Sequence, residues 1–136
     1  MPIGLVDHFN IVISPSQVDE TLQFYREVLG LKEGFRPNFG RSGWWLYAGD
    51  HPVLHISLKD IAPTVGATGS FDHIALNATG WPEMKAKLDR LGIPFEEQLV
   101  RDNTVLQIFF RDCNGLKIEL DYKLDGIACT SPQAST

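Results

Sequence analysis

The feature that most constrains this 136-residue chain is that its second half repeats its first. Asp7-His8-Phe9-Asn10-Ile11 returns as Asp72-His73-Ile74-Ala75-Leu76. Leu29-Gly30-Leu31 returns as Leu91-Gly92-Ile93. The run from Val53 to Leu58, which carries His55, returns as the run from Leu116 to Leu120, which carries Glu119. The order is kept and the offsets agree within 62 to 65 residues, the signature of a duplicated structural unit. We expect a first module over residues 1–62, a second over 63–123 and a frayed polar tail over 124–136.

Each module reads as strand, helix and then further strands. Residues 6–13 alternate and are β-branched, as a strand requires. Ser14-Pro15-Ser16 breaks the strand, and Ser16 with Asp19 resembles a capping box. Val18, Leu22, Tyr25 and Leu29 recur at helical spacing, and Gly30 fits the left-handed position that ends a helix. Strands are expected near 32–36, 43–48 and 53–58, and residues 59–70 read as a linker. In the second module a strand over 72–78 precedes a helix with Trp81, Met84, Leu88 and Leu91 on its inner stripe, closed by Gly92. Strands near 94–99, 104–110 and 115–121 follow, with Asp112-Cys113-Asn114-Gly115 as a turn. The expected class is α+β: two βαβββ modules.

Strand parity then sorts side chains into faces. Phe9, Ile11 and Ile13 oppose His8, Asn10 and Val12. Leu54, Ile56 and Leu58 oppose Val53, His55 and Ser57. Ile74 and Leu76 oppose His73, Ala75 and Asn77. Leu116, Ile118 and Leu120 oppose Lys117, Glu119 and Asp121. The aliphatic faces suit packing under helices. The other faces carry three of the four histidines and one glutamate. Imidazole and carboxylate are good ligands for Zn, Ni, Fe, Mn or Co. A bound divalent ion can polarise a carbonyl, stabilise an enediolate or lower the pKa of water. His8, His55, His73 and Glu119 are therefore the candidate metal ligands, with Glu119 and His55 the candidate catalytic groups. His55 has an alternative role as an acid/base group beside the metal. His51, next to Pro52, reads as a surface turn residue.

Composition narrows the field further. A formal charge of -5 with no Lys/Arg cluster disfavours nucleic acid and membrane-surface partners. No apolar run approaches the roughly 18 residues of a membrane span. No secretory signal is apparent. Two cysteines, Cys113 and Cys129, form no disulfide framework and suit a reducing, cytoplasmic setting. Trp44, Trp45, Phe109 and Phe110 read as core first and pocket lining second. Arg41, Arg101 and Arg111 are possible holders of an anionic substrate, although solvated arginines are commoner. Cys113 has no partnering histidine, which argues against a nucleophile.

Asp7-His8, the helix end Phe24-Tyr25-Arg26-Glu27-Val28-Leu29-Gly30, Asp72-His73 and Asp112-Cys113-Asn114-Gly115-Leu116-Lys117-Ile118-Glu119-Leu120 together resemble the vicinal oxygen chelate superfamily over residues 5–123. That group includes glyoxalase I, fosfomycin-resistance thiol transferases, methylmalonyl-CoA epimerase, extradiol dioxygenases and bleomycin-resistance proteins. The resemblance implies paired βαβββ modules with mixed sheets, each an incomplete barrel around a metal cleft. It also implies a homodimer and a small-molecule substrate. The family's four ligand positions fall on His8, His55, His73 and Glu119. Position 55 is usually a glutamate in glyoxalase I-like members.

The leading expectation is a divalent-metal-dependent, glyoxalase-like lyase or isomerase whose substrate chelates the ion through vicinal oxygens. The rival readings are a ring-cleaving extradiol dioxygenase and a metal-free binding protein of the bleomycin-resistance type.

Overall fold

The computed structural model describes residues 2, 4–60, 68 and 71–124. The chain divides into two compact units, Met1–Thr64 and Val65–Thr136. The expected junction at 62/63, most of the expected linker, Cys129 and all of the expected tail except Leu124 lie outside the described residues.

The first unit contains β1 (Phe9–Ile13), α1 (Val18–Glu27), β2 (Lys32–Gly34), β3 (Gly43–Ala48) and β4 (His51–Leu58). Its mixed sheet has the order β1-β4-β3-β2, with β1 parallel to β4 and the other pairs antiparallel. The second unit repeats the plan with β5 (His73–Ala78), α2 (Trp81–Arg90), β6 (Glu96–Val100), β7 (Val105–Arg111) and β8 (Lys117–Lys123). Its order is β5-β8-β7-β6, again with one parallel pair, β5 with β8. The class is α+β, two βαβββ modules with mixed sheets, and neither sheet closes into a barrel.

Local chemistry explains the element ends. A short 3-10 turn, Pro15–Gln17, precedes α1, and the capping box is formed by Ser14 and Gln17 rather than Ser16 and Asp19. The Ser14 amide donates to Gln17 Oε1 at 3.0 Å. Pro15 accounts for the displacement: its fixed φ suits a first helical position, which makes the residue before it the cap. Gly30 ends α1 at φ +68°, where the Leu31 amide reaches back to the Tyr25 carbonyl at 3.1 Å. Gly92 ends α2 at φ +70°, with the Ile93 amide reaching back to the Leu88 carbonyl at 2.9 Å.

The aliphatic faces are buried as parity requires. Ile13, Leu46, Leu54 and Ile56 lie inside the first unit with Leu22 and Tyr25 of α1 and Val28 at its C-terminal cap. Val28 takes the buried position expected of Leu29. Ile108, Phe110, Ile118, Leu120 and Tyr122 lie inside the second unit with Leu88 of α2. β1 begins at Phe9, later than expected, because its pairing with β4 starts at Leu54. His8 therefore lies just before the strand. His51 is the first residue of β4 rather than a turn residue, and its Nε2 meets the Asp7 carbonyl at 2.6 Å.

Candidate functional site

In the first unit the parallel pairing of β1 with β4 sets Asn10 opposite His55, and the antiparallel pairing of β3 with β4 sets Trp45 opposite His55. The result is a column of three rings. His8 lies on one side of the His55 imidazole, with centroids 3.7 Å apart and planes 14° apart. The Trp45 indole lies against His55 at 4.1 Å and 10°. Burial, and next the neighbouring His8, hold the His55 imidazole below its ordinary pKa, favouring the neutral ring. The Pro52 backbone, which has no N–H to donate, acts in the opposite direction. Nε2 of His55 is buried and has no hydrogen-bond partner among the described residues.

In the second unit the sheet face opposite the core brings His73 of β5 to Glu119 of β8, with Nε2 3.0 Å from Oε1. Two atoms that each offer a lone pair attract only with a proton or a metal ion between them. Glu119 is buried, at 6% exposure. Its burial, and then the nearby Asp121 carboxyl, push its pKa up; His73 acts in the opposite direction. The Gln107 amide donates to Glu119 Oε2 at 2.7 Å.

One relationship is common to both units. His8 Nδ1 is 2.8 Å from Asp7 Oδ2, and His73 Nδ1 is 2.8 Å from Asp72 Oδ2. Hydrogen bonds from these imidazoles lower the pKa of both aspartates. This arrangement directs Nδ1 of His8 and of His73 to a carboxylate oxygen. Each Nε2 is then the nitrogen left to carry a lone pair. Carboxylate support of this kind is typical of metal-ligating histidines. The separation of His73 Nε2 and Glu119 Oε1, 3.0 Å, matches two donors each about 2.1 Å from one ion at roughly a right angle. The donor chemistry therefore fits a divalent metal. The His8–His55 stack fits less simply: parallel rings cannot both aim in-plane lone pairs at one ion unless one ring turns. Within either unit, no group of three or more His, Cys, Asp or Glu side chains able to hold a metal is gathered among the described residues.

The other residues noted in the sequence fall into place around these pairs. Trp45 is half-buried and belongs to the ring column instead of the core. Phe109 meets the His73 ring edge-on at 6.4 Å, and Lys117 lies over the Phe109 ring at 5.2 Å. A cavity of about 630 Å³ is lined in part by Phe109, Arg111 and Lys117. Arg111 donates to the Gly115 carbonyl at 2.9 Å, and Arg41 and Arg101 are exposed. Cys113 is in no disulfide. Sequence pattern alone assigns no chemical role to Asp7, Asp72, Gln98, Gln107 or Asp121. The repeated Asp-His dipeptide signals the first two. Parity across β7 and β8 signals Gln107 and Asp121, once their register is known.

A model of the Glyoxalase/Bleomycin resistance protein/Dioxygenase superfamily matches residues 5–120. The chain belongs to this superfamily. Glyoxylase I 4 of Arabidopsis thaliana is 26% identical over 125 residues, covering 88% of this chain and 72% of the relative. A glyoxalase family protein from Bacillus anthracis superposes with a TM-score of 0.71 at 23% identity, covering 90% of this chain and 98% of that one. A genomically encoded fosfomycin resistance protein from Listeria monocytogenes, solved with Mn(II) and a dihydroxypropylphosphonic acid, superposes with a TM-score of 0.63 at 17% identity, covering 88% and 90%. No helix among the described residues of this superfamily member is long and apolar enough to cross a membrane.

Proposed function

We propose that the protein is a divalent-metal-dependent lyase or isomerase of the glyoxalase type, acting on a small substrate with two neighbouring oxygens. The observation that carries this reading is the approach of His73 Nε2 to Glu119 Oε1 at 3.0 Å, with Asp72 behind the same ring at Nδ1 as Asp7 is behind that of His8. The Mn(II) held by the fosfomycin resistance protein and the naming of the Arabidopsis relative support it.

In this proposal His8, His73 and Glu119 hold the metal, and His55 joins them if its ring turns. The bound ion would offset the negative charge that develops on the substrate oxygens when a neighbouring carbon loses a proton. In the stacked arrangement His55 is instead the proton acceptor. Its ring is held neutral, as a proton acceptor must be, and the indole and His8 rings fix its plane. Phe109 and Lys117 line space for the remainder of the substrate. A homodimer in the cytoplasm belongs to the same proposal, and light scattering of the purified chain tests the oligomer.

The deciding experiment loads the protein with Ni(II), Zn(II), Mn(II), Co(II) or Fe(II) and supplies the hemithioacetal of methylglyoxal and glutathione. Turnover with at least one ion is expected; none with any ion removes the glyoxalase reading. The parallel His8 and His55 rings favour a second reading. In it His8, His73 and Glu119 serve a ring-cleaving dioxygenase, with His55 beside them as acid/base group. Oxygen uptake with a catechol after anaerobic Fe(II) loading tests that alternative.

A further inference from the structure

Glu119 sits at the end of a hydrogen-bonded chain of amides that runs across three strands. Register places Gln98 of β6 opposite Gln107 of β7, and Gln107 opposite Asp121 of β8, one same-face step from Glu119. The Gln98 amide donates to Gln107 Oε1 at 2.7 Å, and Gln107 Nε2 donates to Glu119 Oε2 at 2.7 Å. The chemistry fixes the direction. An ionised carboxylate only accepts, so Gln107 must turn its NH₂ to Glu119 and its carbonyl away. That carbonyl then needs a donor, which Gln98 supplies. The two oxygens of Glu119 are thereby divided: Oε2 takes the amide, and Oε1 stands 3.0 Å from His73 Nε2.

We propose that Gln107, itself oriented by Gln98, is a positioning residue that pins the Glu119 carboxylate and presents Oε1 alone beside His73. The inference rests on the metal-site reading for its consequence. A carboxylate tied through one oxygen is a one-oxygen donor that holds its place, and it is poorly suited to swing away as a base. This arrangement assigns proton transfer to another group. Outer partners of ligating carboxylates typically change metal affinity by about 10- to 100-fold when removed.

The test uses the full chain with Gln107→Leu, Gln98→Ala and the double variant, each checked for folding by circular dichroism. Mn(II) or Ni(II) affinity is measured by chelator competition. Gln107→Leu should weaken binding by about tenfold or more. Gln98→Ala should weaken it less, and should cost nothing further once Gln107 is gone, because its effect passes through that residue. A Gln98→Ala cost that is equal in both backgrounds, or a Gln107→Leu affinity within twofold of wild type, overturns the proposal.

A second readout needs no metal. In metal-free protein one Gln107 side-chain amide proton should resonate downfield, as expected for a bond to a carboxylate, and Glu119→Gln should move it back. Absence of that signal overturns the positioning role directly. Wild-type protein that takes up no metal would instead overturn the proposed function, leaving the amide signal to judge Gln107.

Discussion

The indole of Trp45 lies flat on the imidazole of His55, with ring centres 4.1 Å apart and planes within 10°. The contact covers one face of a histidine whose other face is covered by His8. It withholds water from the ring and so disfavours the imidazolium.

Replacing Trp45 by Leu should therefore let the His55 pKa rise toward its ordinary value of 6.5. Trp45→Phe keeps a flat ring and should leave most of the depression in place. Histidine Cε1 proton shifts followed against pH distinguish these outcomes. The stack is irrelevant to His55 if the Leu variant titrates like wild type.

The same depression has a consequence for stability. The folded His55 pKa lies below that of the unfolded chain, so below about pH 6.5 the unfolded state binds more protons and stability falls with pH. Above pH 6.5 the contribution is fully present. His55→Gln should flatten this acid-side decline in urea melts run from pH 7.5 down to pH 5. An unchanged slope would show that some other group governs it.

Asp7 and Asp72 hold Nδ1 of His8 and His73 at 2.8 Å. Asp72→Asn keeps the shape but offers an amide oxygen in place of a charge, and Asp72→Ala removes the acceptor. Metal affinity should drop by about tenfold for Asn and more for Ala. Glu119→Ala or His73→Ala should abolish uptake. Calorimetric titration with Zn(II) or Ni(II) reads all four, and full uptake by the His73→Ala or Glu119→Ala protein would refute the ligand assignment.

How much of this was legible beforehand follows from where periodicity speaks. The repeat, both helices and the aliphatic faces rest on local patterns, and Leu54, Ile56, Ile118 and Leu120 are buried as parity requires. The neighbourhood of His73 and Glu119 follows from the parallel pairing of β5 with β8. What parity could not supply was register and rotamer. Trp45 opposite His55 depends on the β3–β4 pairing, and the Gln98–Gln107–Glu119 chain on two antiparallel registers. The capping box moved to Ser14 because proline chemistry overrode a matching motif two residues on. The left-handed turn at Arg101, Asp102 and Asn103 has no glycine to announce it.

Tyr122 offers a prediction away from the histidines. It is 1% exposed, and its hydroxyl has no hydrogen-bond partner among the described residues. Burial pushes its pKa from 10.0 up to about 12. Between these values the unfolded chain has lost the phenolic proton while the folded chain keeps it. The unfolded state then binds fewer protons, and stability declines as pH rises from 10 toward 12. A two-unit shift corresponds to roughly 2 to 3 kcal/mol over that window. Tyr122→Phe keeps the ring in the core and removes the unpartnered oxygen. At pH 7 the variant should be as stable as wild type or more stable by up to about 1 kcal/mol, because a buried hydroxyl without a partner is unfavourable. Wild type and variant, compared by guanidinium unfolding at pH 9, 10 and 11, should diverge progressively on the alkaline side. Parallel curves would mean that the hydroxyl reaches solvent or a partner in the folded protein, and that its burial contributes nothing to alkaline unfolding.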